Sequence, residues 1–207
     1  MWPGVSMRRG SMPELDAIIP AAGFSRRMGT NKLLLPLGGK TLLEVFLDAF
    51  PYHLFRSVFL IYADDQVAGC AGSYPLHLVR NSHPERGQSY SVRLGLELSR
   101  AQDGFLFAVA DQPCLRPASI ERMVALFSRD KSRIVRPEVA GKPRNPVIFP
   151  ASLGPQLLAL EGDEGGRQVI RAHPHLLCSL EFSDSAEFVD IDTPERYQQL
   201  LAEWPRL

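Results

Sequence analysis

Cysteine is scarce in this chain of 207 residues, and the three cysteines follow no ligand or disulfide pattern. Cys70, Cys114 and Cys178 are odd in number and widely separated, and no Cys-x-x-Cys spacing occurs. This argues against a disulfide framework and against a zinc ribbon. We expect a reduced, cytoplasmic protein.

An excess of charge of either sign is also missing, because 23 Lys and Arg residues balance 23 Asp and Glu residues. Nothing therefore favours nucleic acid or an anionic membrane as a general partner. No apolar run approaches the roughly 18 residues that span a bilayer. Residues 1–12 carry two arginines without an apolar segment after them, which is not typical of a signal peptide. We expect no nucleic-acid or membrane partner, and a disordered tail at 1–12 before a single domain at 13–207.

The most informative segment that is present runs from Ala17 to Lys32, AIIPAAGFSRRMGTNK. A short apolar strand leads into a loop with two glycines, and glycine lets successive backbone N–H groups approach an anion. The loop has neither the GKS or GKT ending of a P-loop nor the G-x-G-x-x-G of a dinucleotide fold. The alternative is a surface turn with solvated basic residues. The candidate nucleotide-binding and charge-neutralising residues of this loop are Ala21, Ala22, Gly23, Ser25, Arg26, Arg27, Gly29 and Lys32.

Apolar runs alternate with helical patterns along the rest of the chain. Strands are predicted at 17–19, 57–62, 76–79, 105–110, 133–136, 147–149 and 188–191, and helices at 41–50, 89–99, 117–127, 155–160, 166–172 and 194–203. Strands separated by helices indicate a mostly parallel sheet covered on both faces. We therefore predict a three-layer, Rossmann-like α/β fold with its ligand site beyond the carboxyl ends of the strands.

Carboxylates follow two of these predicted strands. Asp111 comes directly after an apolar run, where an aspartate is costly to bury without a cation. Mg²⁺ favours one or two carboxylates together with phosphate oxygens, so Asp111 is a candidate metal ligand. Asp190 and Asp192 would point to the same side of a strand, and either could supply the second ligand. The alternatives are helix caps at Asp111 and at Asp192 or Thr193.

The loop is similar to the phosphate loop of the MobA-like nucleotidyltransferases, Ala-Ala-Gly-x-Ser-x-Arg-Met-Gly-x-x-Lys, and is closest to the molybdenum cofactor cytidylyltransferase branch. The resemblance runs from about Asp16 to about Ala202 and includes the strings Ala-Asp-Gln-Pro at 110–113 and Asp-Thr-Pro-Glu at 192–195. It implies a fold of the nucleotide-diphospho-sugar transferase type and transfer of a nucleoside monophosphate with release of pyrophosphate. It also implies catalytic roles for Lys32, Arg27 and Asp111, and Mg²⁺ held by Asp111 and Asp192.

Two further sets of residues follow from the same resemblance. Gly87, Gln88 and Ser91 match a string that contacts cytosine, and the Ala-Ala-Gly form is similar to enzymes that use CTP, whereas relatives that use GTP tend to carry Ala-Gly-Gly. The basic and polar residues of two later segments would meet a phosphorylated pterin, although they could also be solvated loops. These acceptor-binding candidates are Lys142, Arg144, Asn145 and Arg167.

The resemblance thus implies transfer of CMP from CTP to the phosphate of molybdopterin, with a downstream molybdenum hydroxylase as the recipient of the product. Three alternatives stay open: GTP with the same pterin, CTP with another phosphorylated acceptor, and a non-catalytic factor that delivers the cofactor. A pure carrier would not need the carboxylates Asp111 and Asp192, which disfavours the last.

Overall fold

The computed structural model describes residues 12–23, 28–162 and 165–204. Residues 1–11 of the expected tail lie outside the described residues. Ten strands occur in the described ranges: β1 (Leu15–Ala21), β2 (Pro36–Leu37), β3 (Lys40–Thr41), β4 (Ser57–Tyr62), β5 (His77–Arg80), β6 (Gly104–Phe107), β7 (Ile134–Val139), β8 (Lys142–Pro143), β9 (Val147–Pro150) and β10 (Leu177–Phe182).

Eight of these strands form one twisted layer in the order β10-β7-β9-β6-β1-β4-β5, with β8 paired to β7. The pairs β1–β4, β1–β6, β4–β5 and β7–β10 are parallel, whereas β9 and β8 run antiparallel to their neighbours. The sheet is therefore mixed but mostly parallel, as the sequence predicts. The strands β2 and β3 form a separate antiparallel hairpin.

The helices are α1 (Leu42–Ala49), α2 (Asp65–Ala71), α3 (Gln88–Leu98), α4 (Pro117–Phe127), α5 (Gly154–Leu158), α6 (Arg167–Ala172) and α7 (Pro194–Glu203). Alternating residues of β1 point to opposite faces of the sheet. Leu15, Ala17 and Ile19 pack in a core with α1, α2 and α4, and Ile18 packs in a second core with α3, α5 and α6. The three-layer prediction is confirmed. In the described residues, no helix combines the length and apolarity that crossing a membrane requires.

Local sequence fixes where two of the helices begin. Thr41 accepts a hydrogen bond from the backbone of Glu44, whose carboxylate in turn accepts from the backbone of Thr41, which is a capping box for α1. The hydroxyl of Thr193 accepts from the backbone N–H of Arg196, and Pro194 occupies the first turn of α7. The alternative that Thr193 caps this helix is therefore confirmed.

One predicted strand is absent, another is shorter than predicted, and some observed elements were not predicted. The predicted strand at 188–191 is absent: Ala186–Phe188 is a 3-10 turn, the Val189 N–H closes that turn on Ala186, and the Ile191 N–H donates to the carbonyl oxygen of Asp111. A short apolar run does not distinguish a strand from such an extended segment. The strand β6 ends at Phe107, so Asp111 lies in the following turn. The short helix α2 and the half-exposed strand β10 carried too weak a periodicity to be predicted.

Candidate active site

A cavity of about 470 Å³ lies where the chain leaves the carboxyl ends of β1, β5 and β6. This is the edge at which parallel α/β sheets bind ligands. Three connecting segments meet there: the turn after β1, the turn between β5 and α3, and the turn after β6. The predicted residues that line the cavity are Ala21, Ala22, Gly23, Lys32, Gly87, Gln88, Ser91, Asp111, Asn145 and Asp192.

Lys32 lies at the centre of the polar wall. It opens a 3-10 turn, Lys32–Leu34, that Asn31 caps by accepting from the Leu33 N–H at 3.2 Å. The Lys32 ammonium donates to a carboxylate oxygen of Asp111 and to Oδ1 of Asp192, the latter at 2.5 Å. The side chains of Lys32 and Asp111 are 17% and 13% exposed, whereas that of Asp192 is 50% exposed. One cation thus joins two carboxylates that are distant in the sequence.

The electrostatics of this cluster favour an added cation. Burial alone would lower the pKa of Lys32, but the neighbouring carboxylates of Asp111 and Asp192 raise it. Burial raises the pKa of Asp111 even though Lys32 opposes that shift. Burial and the charge of Asp111 raise the pKa of Asp190 to about 6. Among the described residues that line the cavity, four carboxyl groups accompany one lysine, so negative charge exceeds positive charge there.

Asp190 and Asp192 both line the cavity but have different partners. Oδ1 of Asp190 accepts from the side-chain amide of Gln112 at 2.8 Å, and Gln112 is only 1% exposed. Asp192 instead contacts Lys32. Among the described residues, Asp192 therefore belongs to the Lys32 cluster, and Asp190 belongs to a neighbouring, partly buried hydrogen-bond pair.

A divalent cation is chemically compatible with the carboxylates present. Oδ1 of Asp111 is buried and has no hydrogen-bond partner among the described residues, which leaves one oxygen available to a ligand. The described ranges contain no group of three or more His, Cys, Asp or Glu side chains suited to holding a metal. Two carboxylates completed by phosphate oxygens and water are the arrangement that Mg²⁺ accepts most readily.

Another part of the cavity, formed by the turn before α3 and by α3 itself, is suited to a heterocyclic base. Gly87 adopts φ +86°, a conformation that favours glycine, and it directly precedes α3. Ser91 is buried, and its hydroxyl oxygen accepts from the side-chain amide of Asn81 at 3.0 Å. That bond leaves the Ser91 hydroxyl hydrogen to donate elsewhere. The carboxylate-bearing Glu85 also lines this part and can accept from an exocyclic amine.

A second cavity of about 390 Å³ adjoins the first, and Asn145 and Gln88 line both. Its apolar walls come from Val92, Phe107, Val147, Phe149 and Ile170, and its charged rim from Arg167 and Arg171. Of the acceptor candidates, Asn145 and Arg167 thus lie at one place. Lys142 and Arg144 line neither cavity: Lys142 is exposed in β8, and Arg144 follows it with its backbone N–H bonded to Pro137.

The remaining predicted residues divide into two groups. Ser25, Arg26 and Arg27 lie outside the described residues. Gly29 is described, with φ +67°, and is not among the residues that line the first cavity. Sequence reasoning missed Glu85 and Gln112. Glu85 sits in the same turn as Gly87, and Gln112 directly follows Asp111, so proximity to recognised motifs was the available signal.

The chain combines a mostly parallel sheet, a glycine-bearing turn and paired carboxylates, and solved structures share its fold. A nucleotidyl transferase from Methanothermobacter thermautotrophicus superposes with a TM-score of 0.78 at 22% identity, covering 93% of this chain and 98% of that one. Rv0371c from Mycobacterium tuberculosis, in complex with manganese, superposes with a TM-score of 0.75 at 24% identity, covering 91% and 98%.

The chain belongs to the MobA-like NTP transferase domain family, whose sequence profile matches residues 17–176. It is 31% identical to the purine catabolism protein PucB of Bacillus subtilis, over 91% of this chain and 96% of that protein. It is 27% identical to the nicotine blue oxidoreductase of Paenarthrobacter nicotinovorans, over 92% and 98%. It is 28% identical to a molybdenum cofactor guanylyltransferase of Shewanella loihica, over 91% and 96%.

Proposed function

We propose that this protein is a molybdenum cofactor cytidylyltransferase, which transfers CMP from CTP to the phosphate of molybdopterin and releases pyrophosphate. One observation carries the proposal: Lys32, Asp111 and Asp192 meet in the cavity that the turn Ala21–Gly23 also lines. A triphosphate needs cationic and backbone donors, and its metal needs carboxylates. Both requirements are present at one place.

The reaction requires positioning rather than a protein nucleophile. An oxygen of the acceptor phosphate attacks the α-phosphorus of CTP, and the bond to the β-phosphate oxygen breaks with departure of pyrophosphate. The attacking phosphate is already ionised near neutral pH, so no strong general base is needed. Lys32 offsets the charge of the phosphates and of the leaving pyrophosphate, and Arg27 is proposed to assist it. Catalysis then depends on orientation and on charge stabilisation.

Asp111 and Asp192 are proposed to hold Mg²⁺. Asp111 has a buried oxygen without a hydrogen-bond partner among the described residues, and Asp192 is half-exposed, so each could offer an oxygen to the cation. A bound divalent cation would neutralise charge on the phosphate oxygens during transfer. The manganese complex of Rv0371c, which shares this fold, supports a divalent metal in proteins of this shape.

Base selection is proposed to depend on Ala22 and on the turn before α3. Ala22 is 8% exposed and lines the cavity, so its methyl group fills space that glycine would leave for a purine. Glu85 offers an acceptor and Ser91 a donor, which complement the exocyclic amine and the ring acceptors of cytosine. We therefore propose that the cavity accepts cytosine, the smaller base, in preference to guanine.

The acceptor is proposed to lie in the second cavity. Its apolar walls suit a flat ring system, and Arg167 at its rim suits an anion. Asn145 borders both cavities, at the place where the acceptor phosphate would approach the α-phosphate. The relative named as a molybdenum cofactor guanylyltransferase supports a pterin acceptor. A molybdenum hydroxylase would then receive the product.

Isothermal titration with CTP, GTP, ATP and UTP in the presence of Mg²⁺ tests the nucleotide, and pyrophosphate release with molybdopterin tests the reaction. We expect CTP to bind most tightly and to support the fastest release. Faster release with GTP would assign the protein as a guanylyltransferase. Pyrophosphate release with CTP and a different phosphorylated acceptor, but not with molybdopterin, would contradict the proposed acceptor and leave the proposed nucleotide unchanged. Binding of the finished cofactor dinucleotide without any turnover would indicate a delivery factor.

A further inference from the structure

A third apolar cluster connects the two halves of the proposed phosphate site. We call it the hairpin cluster, and its buried members are Leu37, Leu42, Ile191, Tyr197 and Leu200. Leu37 belongs to the hairpin β2–β3, which follows the Lys32 turn. Ile191 immediately precedes Asp192, and Tyr197 and Leu200 belong to α7, which begins two residues after Asp192. The cluster therefore joins the segment that follows Lys32 to the segment that carries Asp192.

The first specific contact across this cluster is a hydrogen bond from Tyr197 to the hairpin. The Tyr197 hydroxyl donates to the carbonyl oxygen of Pro36 at 2.5 Å, and Tyr197 is 8% exposed. Burial raises the pKa of Tyr197, so the hydroxyl keeps its proton at neutral pH. Only Leu35 lies between Pro36 and the Lys32–Leu34 turn. The bond thus ties α7 to the chain just beyond Lys32.

The second contact is made by Trp204, at the end of α7, against Gly38. Gly38 has φ +60°, and a Cβ atom built on it would lie 2.5 Å from Nε1 of the indole. Such a distance is too short for any side chain, so the ring can rest on the hairpin only because residue 38 is glycine. Trp204 is also packed against the hairpin cluster.

The ion pair between Lys32 and Asp192 does not fix this geometry by itself. Its partners are 160 residues apart, and Asp192 is 50% exposed. A long lysine side chain and an exposed carboxylate lose conformational freedom when they pair, so an exposed ion pair is weak on its own. The buried contacts behind the two residues are better able to hold them together.

We propose that Tyr197 and Trp204 are positioning residues, which hold the segment carrying Lys32 against the segment carrying Asp192. Neither side chain lines the cavity, and both act through the hairpin β2–β3. The catalytic part of this inference rests on the proposed nucleotidyl transfer, whereas the contact between the two segments does not. Because transfer reactions respond strongly to displacements of about 1 Å, loosening this contact should affect the metal and phosphate steps first.

The first test needs no nucleotide. The variant Tyr197→Phe removes the hydroxyl, and its matched control is Tyr52→Phe, because the Tyr52 hydroxyl donates to the backbone carbonyl of Leu47 at 3.0 Å away from this cavity. The readout is the rate at which an acetylating reagent labels Lys32 relative to the exposed Lys142 in β8, measured by mass spectrometry. We expect faster labelling of Lys32 in Tyr197→Phe and an unchanged ratio in Tyr52→Phe.

The second test measures the Mg²⁺ concentration for half-maximal pyrophosphate release with CTP. We expect it to rise about ten-fold in Tyr197→Phe, with an unchanged KM for the acceptor. Gly38→Ala, which displaces the Trp204 indole, should act in the same direction and serves if Tyr197→Phe does not fold. Unchanged labelling of Lys32 in the folded variant would overturn the proposal, as would an equal effect of Tyr52→Phe. If no nucleotide is turned over by the wild type, the proposed function fails, and the labelling result still decides the positioning role.

Discussion

The substitution Asp111→Asn separates the chemistry of the cavity from the stability of the fold. Asparagine keeps the shape of the side chain and removes its charge. Asp111 is 13% exposed, and its ionised form is already disfavoured by burial, which raises its pKa. Lys32 would keep Asp192 as a partner at 2.5 Å. The substitution removes both the cost of burying the Asp111 charge and the attraction of that charge to Lys32. Because these two contributions nearly offset one another, we expect the free energy of unfolding to change by no more than about 1 kcal/mol.

Turnover should respond very differently to Asp111→Asn. The variant loses a proposed metal ligand and one fixed charge beside the phosphates. Removing one such electrostatic contact typically costs a factor of about 10²–10³ in rate, which corresponds to about 2.7–4 kcal/mol of transition-state stabilisation. The loss in activity should therefore exceed the loss in stability several-fold.

The assay is pyrophosphate release at saturating CTP and Mg²⁺, together with denaturant unfolding of the same preparation. Asp48→Asn is the matched control, because Asp48 pairs with Lys40 at 2.5 Å and neither residue lines the cavity. We expect the control to keep full turnover. Near-normal turnover of Asp111→Asn would refute the role of Asp111, and a loss of turnover explained entirely by unfolding would refute the separation of the two effects.

Two further substitutions probe charge in and outside the cavity. Lys32→Met should abolish turnover, whereas the control Lys40→Met should not. Lys32→Met should also lower the free energy of unfolding by about 3 kcal/mol at pH 7, because it leaves the carboxylate of Asp111 buried without its cation. Loss of Lys32 raises the pKa of Asp111 in the folded state further. The difference in free energy of unfolding between the wild type and Lys32→Met should therefore shrink as the pH falls toward 4. A difference that does not depend on pH would contradict the reasoning. At Asp103, burial would raise the pKa, but hydrogen bonds from Lys131 and the Glu14 N–H lower it below 3.8. Asp103→Asn should therefore lower the free energy of unfolding in denaturant by about 1 kcal/mol at pH 7. The loss should be small well below pH 3.8, where Asp103 is protonated in both the folded and the unfolded wild type. An equal loss at both pH values would argue against the ion pair of Asp103 and Lys131.

Much of the α/β architecture could be predicted because its signals are local. Buried strands such as β4 are continuous apolar runs, and α4 begins at a proline and shows helical periodicity, so both were predicted with their observed bounds. The predicted strand at 188–191 was wrong because a short apolar run specifies burial but not a hydrogen-bonded neighbour. In the structure, that segment is held by one backbone bond to Asp111 and by the hairpin cluster.

The candidate site was predictable where a residue type in a loop after a strand has a chemical requirement. Lys32 and Asp111 belong to this group, and the structure places them in contact. Contacts between distant segments could not be predicted in the same way. The bond from Tyr197 to Pro36 and the pair Gln112–Asp190 depend on how α7 and the segment before it pack on the rest of the fold. Lys142, named as an acceptor candidate from the family resemblance, lies on the exposed surface in the hairpin of β7 and β8 and lines neither cavity.

A crystal structure with Mg²⁺ and a CTP analogue that cannot be cleaved at the α-phosphate would test the proposed convergence most directly. We predict that the triphosphate lies between the turn Ala21–Gly23 and Lys32. Carboxylate oxygens of Asp111 and Asp192 should then coordinate the metal at about 2.1 Å. A nucleotide bound in another cavity, or a metal bound without either aspartate, would contradict the proposal.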